Sequence, residues 1–106
     1  METQRIIQIE TLVWEGITIE VSYEPEWLGF RRGGELAVAH LQVRSVAPER
    51  APLPITETGY RSHFVHPSDV EADGGPVHYA KAWLDTVARS AEWLDYVTGT
   101  KQLSLF

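Results

Sequence analysis

Cysteine is absent from the 106 residues, which excludes disulfide frameworks, thiolate metal sites and cysteine nucleophiles. No apolar run approaches the roughly 20 residues of a membrane span, and Met1 leads straight into Glu2 and Thr3 instead of a signal peptide. A soluble cytoplasmic protein is expected. Basic side chains are scarce, nine against fifteen acidic ones, for a formal net charge of −6. That field repels phosphate, so direct nucleic-acid binding is not expected. What remains is ordinary globular material, with 43% apolar and 23% charged residues. A chain this long buries roughly 65% of its unfolded surface, enough for one modest core.

Ile17, Ile19, Val21 and Tyr23 alternate with Thr18, Glu20, Ser22 and Glu24, the period of a half-buried strand. Before them, Ile7, Ile9 and Val13 share one face. Both sets meet the same core only if Val13 lies opposite Ile17, which predicts a three-residue loop, Trp14-Glu15-Gly16. Pro25 is expected to end that strand. A third strand runs from about Leu36 to Val46, with Leu41 and Val43 opposed to His40, Gln42 and Arg44. Three prolines make Ala47–Pro54 an irregular crossing, and Ile55–Val65 is a candidate edge strand.

The period then lengthens. Pro76 suits the first helical position. Val77, Ala80, Trp83, Leu84, Val87, Ala88, Ala91 and Leu94 fall within an arc of about 140° at helical spacing. Lys81–Asp85 and Asp85–Arg89 are opposite-charge pairs four apart, and Gly99 is the expected stop. The predicted fold is α+β. It comprises an antiparallel sheet of three or four strands on one long C-terminal helix, a domain over 1–98 and a flexible tail over 99–106.

Several clusters are candidates for chemistry. On an extended Pro54–Phe64, Glu57, Arg61 and His63 point one way, a potential general base beside an anion anchor. The same residues serve equally as a structural ion pair and a packed histidine, so catalysis there is the weaker reading and no enzyme is expected. His63 and His66, with Asp69 and Glu71, lack convergent spacing, so neither a metal nor another cofactor is expected. Arg31-Arg32-Gly33-Gly34 fits a solvated turn better than a phosphate cradle. Arg89, Trp93 and Tyr96 lie off the helical stripe and have the composition of an interface, a possible second contact surface or homodimer seam.

The sharpest signal is Gln102-Leu103-Ser104-Leu105-Phe106. It resembles the pentapeptide by which bacterial replication and repair proteins bind the DNA polymerase sliding clamp, and every position matches. At average residue usage such a match arises by accident about once in several hundred thousand trials. The resemblance implies an extended peptide with Leu105 and Phe106 in an apolar pocket, Leu103 beside it, and Gln102 setting register through its amide. Alternatively, Leu103, Leu105 and Phe106 fold back onto the chain's own core. Pro54–Phe64 and Tyr23–Gly29 also resemble segments of small proteins of bacterial plasmids and mobile elements. The expectation is a non-enzymatic adaptor or regulator on the sliding clamp. The alternative is a small enzyme or ligand-binding protein using Glu57, Arg61 and His63.

Overall fold

Glu15 and Gly16 both adopt left-handed backbone, with φ of 47° and 77°. Two successive positive angles make a two-residue type I′ hairpin, whose twist suits the flanking strands. The hairpin joins β1 (Gln8–Trp14) to β2 (Ile17–Trp27) and sets Trp14 opposite Ile17. This corrects the expected three-residue loop. Val13 pairs with Thr18, and a one-residue slip sends a whole strand's side chains to the other face. Leu12 and Trp14 therefore turn inward, while Ile9 and Val13 stand outward, 63% and 67% exposed. The physical reason is size. An indole carries far more apolar area than a valine, and Trp14 is only 4% exposed.

The computed structural model describes residues 6–27 and 34–103, with side chains as far as Gly99. The sheet is completed by β3 (Val38–Ala47) and β4 (Tyr60–Val65), in the order β1-β2-β3-β4, every neighbouring pair antiparallel. Ile19, Val21 and Tyr23 of β2 and Ala39, Leu41 and Val43 of β3 form the inner face and the centre of the core. The proline-rich crossing is irregular as expected, and it tucks Leu53 and Ile55 under the sheet. The edge strand begins only at Tyr60. Gly59 has a φ of 78°, and a Cβ there would lie 2.7 Å from the Arg50 backbone, so the chain turns tightly at that point.

Three helices follow: α1 (Pro67–Ala72), α2 (Pro76–Val87) and α3 (Ala91–Leu103). The first is capped by His66, whose Nδ1 accepts from the Ser68 amide while Nε2 donates to the Gly34 carbonyl at 2.9 Å. In α2, Pro76 opens the helix and the predicted stripe holds. Ala80 and Leu84 are fully buried, and Val87, Ala88 and Trp83 pack around them. Lys81 and Asp85 are joined at 2.8 Å. Asp85 also accepts from the Trp14 indole at 2.9 Å, and these two hydrogen bonds hold its carboxyl below the usual carboxylate range.

The single long helix is not formed. The chain leaves helical backbone at Ala88–Ser90, and the Ser90 hydroxyl accepts the Trp93 amide at 3.2 Å, capping a new helix that carries Glu92 in its first turn. Past that break Trp93 lies against Trp14, ring centroids 6.0 Å apart. Ala91 and Leu94, counted in the inward stripe, are exposed. Gly99 does not stop the helix, which continues through Gln102 to Leu103. Among the described residues, no helix is long and apolar enough to cross a membrane.

Candidate functional site

Strand pairing decides which of the candidate side chains share a surface. Arg61 lies opposite Val43 and His63 opposite Leu41, so both belong to the inner face of β4, beneath α2. The His63 ring sits 4.5 Å from the Trp83 ring, and its Nε2 is hydrogen-bonded to the Tyr79 hydroxyl at 3.1 Å. Burial, and next the Arg61 charge, hold this imidazole below its ordinary value. The same enclosure, followed by Asp69 and Asp73, pushes the Tyr79 phenol up. Arg61 donates to the Ile55 carbonyl at 3.2 Å, with its guanidinium carbon 5.6 Å from the centre of the Trp83 ring.

Glu57 is elsewhere. It is exposed in the loop ahead of β4, and with Leu53, Ile55, Thr56 and Arg61 it borders a shallow open depression. A general base must reach a substrate proton. His63 is half-buried with the Tyr79 and Trp83 rings against it, a position that suits pinning α2 to β4. The structure thus brings Arg61 and His63 together on α2 and leaves Glu57 apart from the imidazole. His66 spends both ring nitrogens on the α1 cap and Gly34. Among the described residues, no three His, Asp or Glu side chains converge as a metal set. Arg31, Arg32 and Gly33 lie outside the described residues.

The Arg89, Trp93 and Tyr96 group is split. Trp93 is half-buried between Trp14 and Tyr96, with the Tyr96 ring 5.1 Å away. Arg89 and Tyr96 remain exposed beside it. Trp93 is therefore the anchor of α3 first and an interface residue second.

The outer face of the sheet holds a cluster that sequence reasoning missed. His40 stacks on Phe64 at 4.7 Å and meets Trp27 at 4.8 Å, and it is hydrogen-bonded to the Ser62 hydroxyl at 2.7 Å. Beside it the Tyr60 hydroxyl donates to Gln42, and Arg44 pairs with Glu20 at 2.7 Å. The signal was half visible. Alternation alone puts His40, Gln42 and Arg44 on one face of β3, but only the β3–β4 register places Ser62 and Phe64 on that same face of the sheet.

Of the pentapeptide, Gln102 and Leu103 form the last positions of α3, and Ser104, Leu105 and Phe106 lie outside the described residues. No curated protein and no solved structure matches the chain. Residues 7–93 match the family model of the KlcB third domain. That span takes in the whole sheet, α1, α2 and the start of α3 as far as Trp93, and Gln102–Phe106 fall after it. On this match over most of its length, the chain belongs to the KlcB third-domain family.

Proposed function

We propose that this chain is a small cytoplasmic, non-enzymatic adaptor or regulator. It docks on the bacterial DNA polymerase sliding clamp through Gln102–Phe106, in support of the replication of a plasmid or other mobile element. The observation that carries the reading is the complete five-position match at the end of the chain. Membership of the KlcB third-domain family fits the mobile-element setting.

The geometry of α3 is compatible with docking. Trp93 is its anchor on the sheet, and further along Leu94 and Tyr96 are more than two-fifths exposed. An extended bound peptide requires Gln102 and Leu103 to leave helical backbone. Gly99 lowers the cost of that step, because glycine disfavours helix by about 1 kcal/mol relative to alanine. The last turn of any helix also carries carbonyls without intrahelical partners. The Glu57, Arg61 and His63 surface is the weaker alternative, because the His63 Nε2 is taken up by the Tyr79 hydroxyl and the Trp83 ring lies against its imidazole.

The test is calorimetry with purified clamp. Replacing Leu105 and Phe106 together by Ala removes the apolar anchors and should lower affinity at least tenfold, about 1.4 kcal/mol or more. Gln102→Ala should cost less, about 0.5–1.5 kcal/mol of register-setting hydrogen bonds. Neither change should move the melting temperature. A wild type that does not bind, or an anchor variant that melts several degrees lower, would return these side chains to the core and end the clamp proposal.

A further inference from the structure

The two edges of the sheet are protected unequally. On β4, the carbonyl of Tyr60 is taken up by the Thr56 hydroxyl at 2.8 Å. Among the described residues, no such contact caps the β1 backbone. It runs Gln8-Ile9-Glu10-Thr11-Leu12-Val13-Trp14, with Glu10 as its one charged side chain and no lysine, arginine or proline, and its register against β2 is unbroken by any bulge. Natural edges are normally blunted by such features, because an open strand edge is a template for another strand.

The hairpin determines which backbone groups are open. In a two-residue hairpin the residues flanking the turn, Trp14 and Ile17, form a hydrogen-bonded pair, and the alternate pairs do not. Leu12, Glu10 and Gln8 therefore bond inward to β2, and Val13, Thr11 and Ile9 present their N–H and C=O groups outward. Two of those three carry the most exposed apolar side chains of the strand, Ile9 and Val13.

We propose that β1 pairs antiparallel with β1 of a second copy, about a twofold axis through Thr11, to give a continuous eight-stranded sheet. Thr11 is the midpoint of the seven-residue strand, so this register uses all of it. The outward-facing residues pair as Thr11 with Thr11, Ile9 with Val13 and Val13 with Ile9, each pair exchanging two backbone hydrogen bonds. Both exposed apolar side chains gain an apolar neighbour across the axis. On the other face Glu10 meets Leu12 of the second copy, so like charges are not placed directly opposite. A register centred on Glu10 would oppose the two carboxylates and pair Ile9 with Thr11 instead of with Val13. The occupant is a second copy because the strand is its own complement about Thr11, as an isologous interface demands.

Sedimentation equilibrium on the full chain tests this, with circular dichroism and thermal melting to check that each variant folds. The wild type should show a concentration-dependent dimer of twice the 12.0 kDa chain mass. Ile9→Glu with Val13→Glu should weaken it at least tenfold, while the outward positions leave the monomer fold intact. Ile9→Lys with Val13→Glu places opposite charges across the axis in this register and should restore the dimer. A wild type that stays monomeric at its highest soluble concentration overturns the proposal. So does a dimer indifferent to the double Glu variant, which would place the seam elsewhere, as at Trp93. A Lys/Glu variant that folds but stays monomeric overturns the Thr11 register.

Discussion

The two long helices are nearly equal in length, twelve residues in α2 and thirteen in α3, yet they relate to the sheet in opposite ways. α2 presses a continuous stripe into the core, with Ala80 and Leu84 fully buried and Val87 behind them. It is also fastened at its flank, where Asp85 accepts from Trp14. α3 is attached chiefly through one ring, Trp93 on Trp14. The difference teaches that a shared helical period does not mean a shared role. The first helix closes the fold, and the second is held to it mainly through one indole.

The largest effect expected is on α2. Leu84 is fully buried beneath the sheet, so Leu84→Ala removes packed methyl groups and leaves a cavity. The loss should be about 2–5 kcal/mol in urea unfolding, with α2 and the strands melting together. A loss below about 1 kcal/mol would mean that α2 is not what closes the core, and the contrast with α3 would fail.

A smaller effect sharpens the other side of the comparison. Gly99 lies within α3 and has nothing within 4 Å of where a Cβ would stand. Gly99→Ala should therefore strengthen the end of α3 by about 1 kcal/mol without a clash. Helical circular dichroism should rise while global unfolding hardly moves. If docking needs Gln102 and Leu103 to unwind, clamp affinity should fall by the same about 1 kcal/mol, roughly fivefold. Unchanged affinity with raised helicity would mean that the peptide is recognised without unwinding the helix.

Much of the architecture was legible in local periods. The alternation from Ile17 to Tyr23, the stripe from Val77 to Ala88, the prolines of Ala47–Pro54 and Pro76 at a helix start all appear where their physics places them. The failures have one cause, the weighing of a local signal against a tertiary one. At the first hairpin, three smaller apolar side chains outvoted Trp14 on paper. In the fold the indole is buried, and Ile7, Ile9 and Val13 are left outside. At Ala88–Ser90 the apolar arc continued smoothly into Ala91 and Leu94, which hid the break. Ser90 followed by Glu92, a capping residue with an acid in the first turn, was the available sign of a new helix start. Of the candidate site, the inward direction of Arg61 and His63 could be read from alternation. The packing of Tyr79 and Trp83 against His63, and of Arg61 over Trp83, could not, because it depends on where α2 lands.

The smallest effect concerns how α2 is held to β4, and it is a matter of pH. His63 lies between Tyr79 and Trp83, with Arg61 two residues away on the same face. Burial first, and Arg61 second, lower its pKa from the ordinary 6.5. In the unfolded chain the same imidazole takes up a proton near 6.5, so over the interval below that value the unfolded state binds more protons than the folded one. Stability from this group is complete above 6.5 and is lost progressively as pH falls through the depressed folded value. Protonation also places a second positive charge beside Arg61 and requires hydration of a ring packed on two aromatics. His63→Gln keeps a group able to hydrogen-bond the Tyr79 hydroxyl but does not titrate, so it should remove this slope. The measurement is urea unfolding of both proteins from pH 8 downward. The wild type should lose stability relative to the variant once the pH passes below 6.5, and α3 has no part in the difference because its anchor, Trp93, carries no proton to exchange. Parallel curves for the two proteins across that interval would show that the His63 ring is hydrated in the folded state and does not clamp α2 to β4.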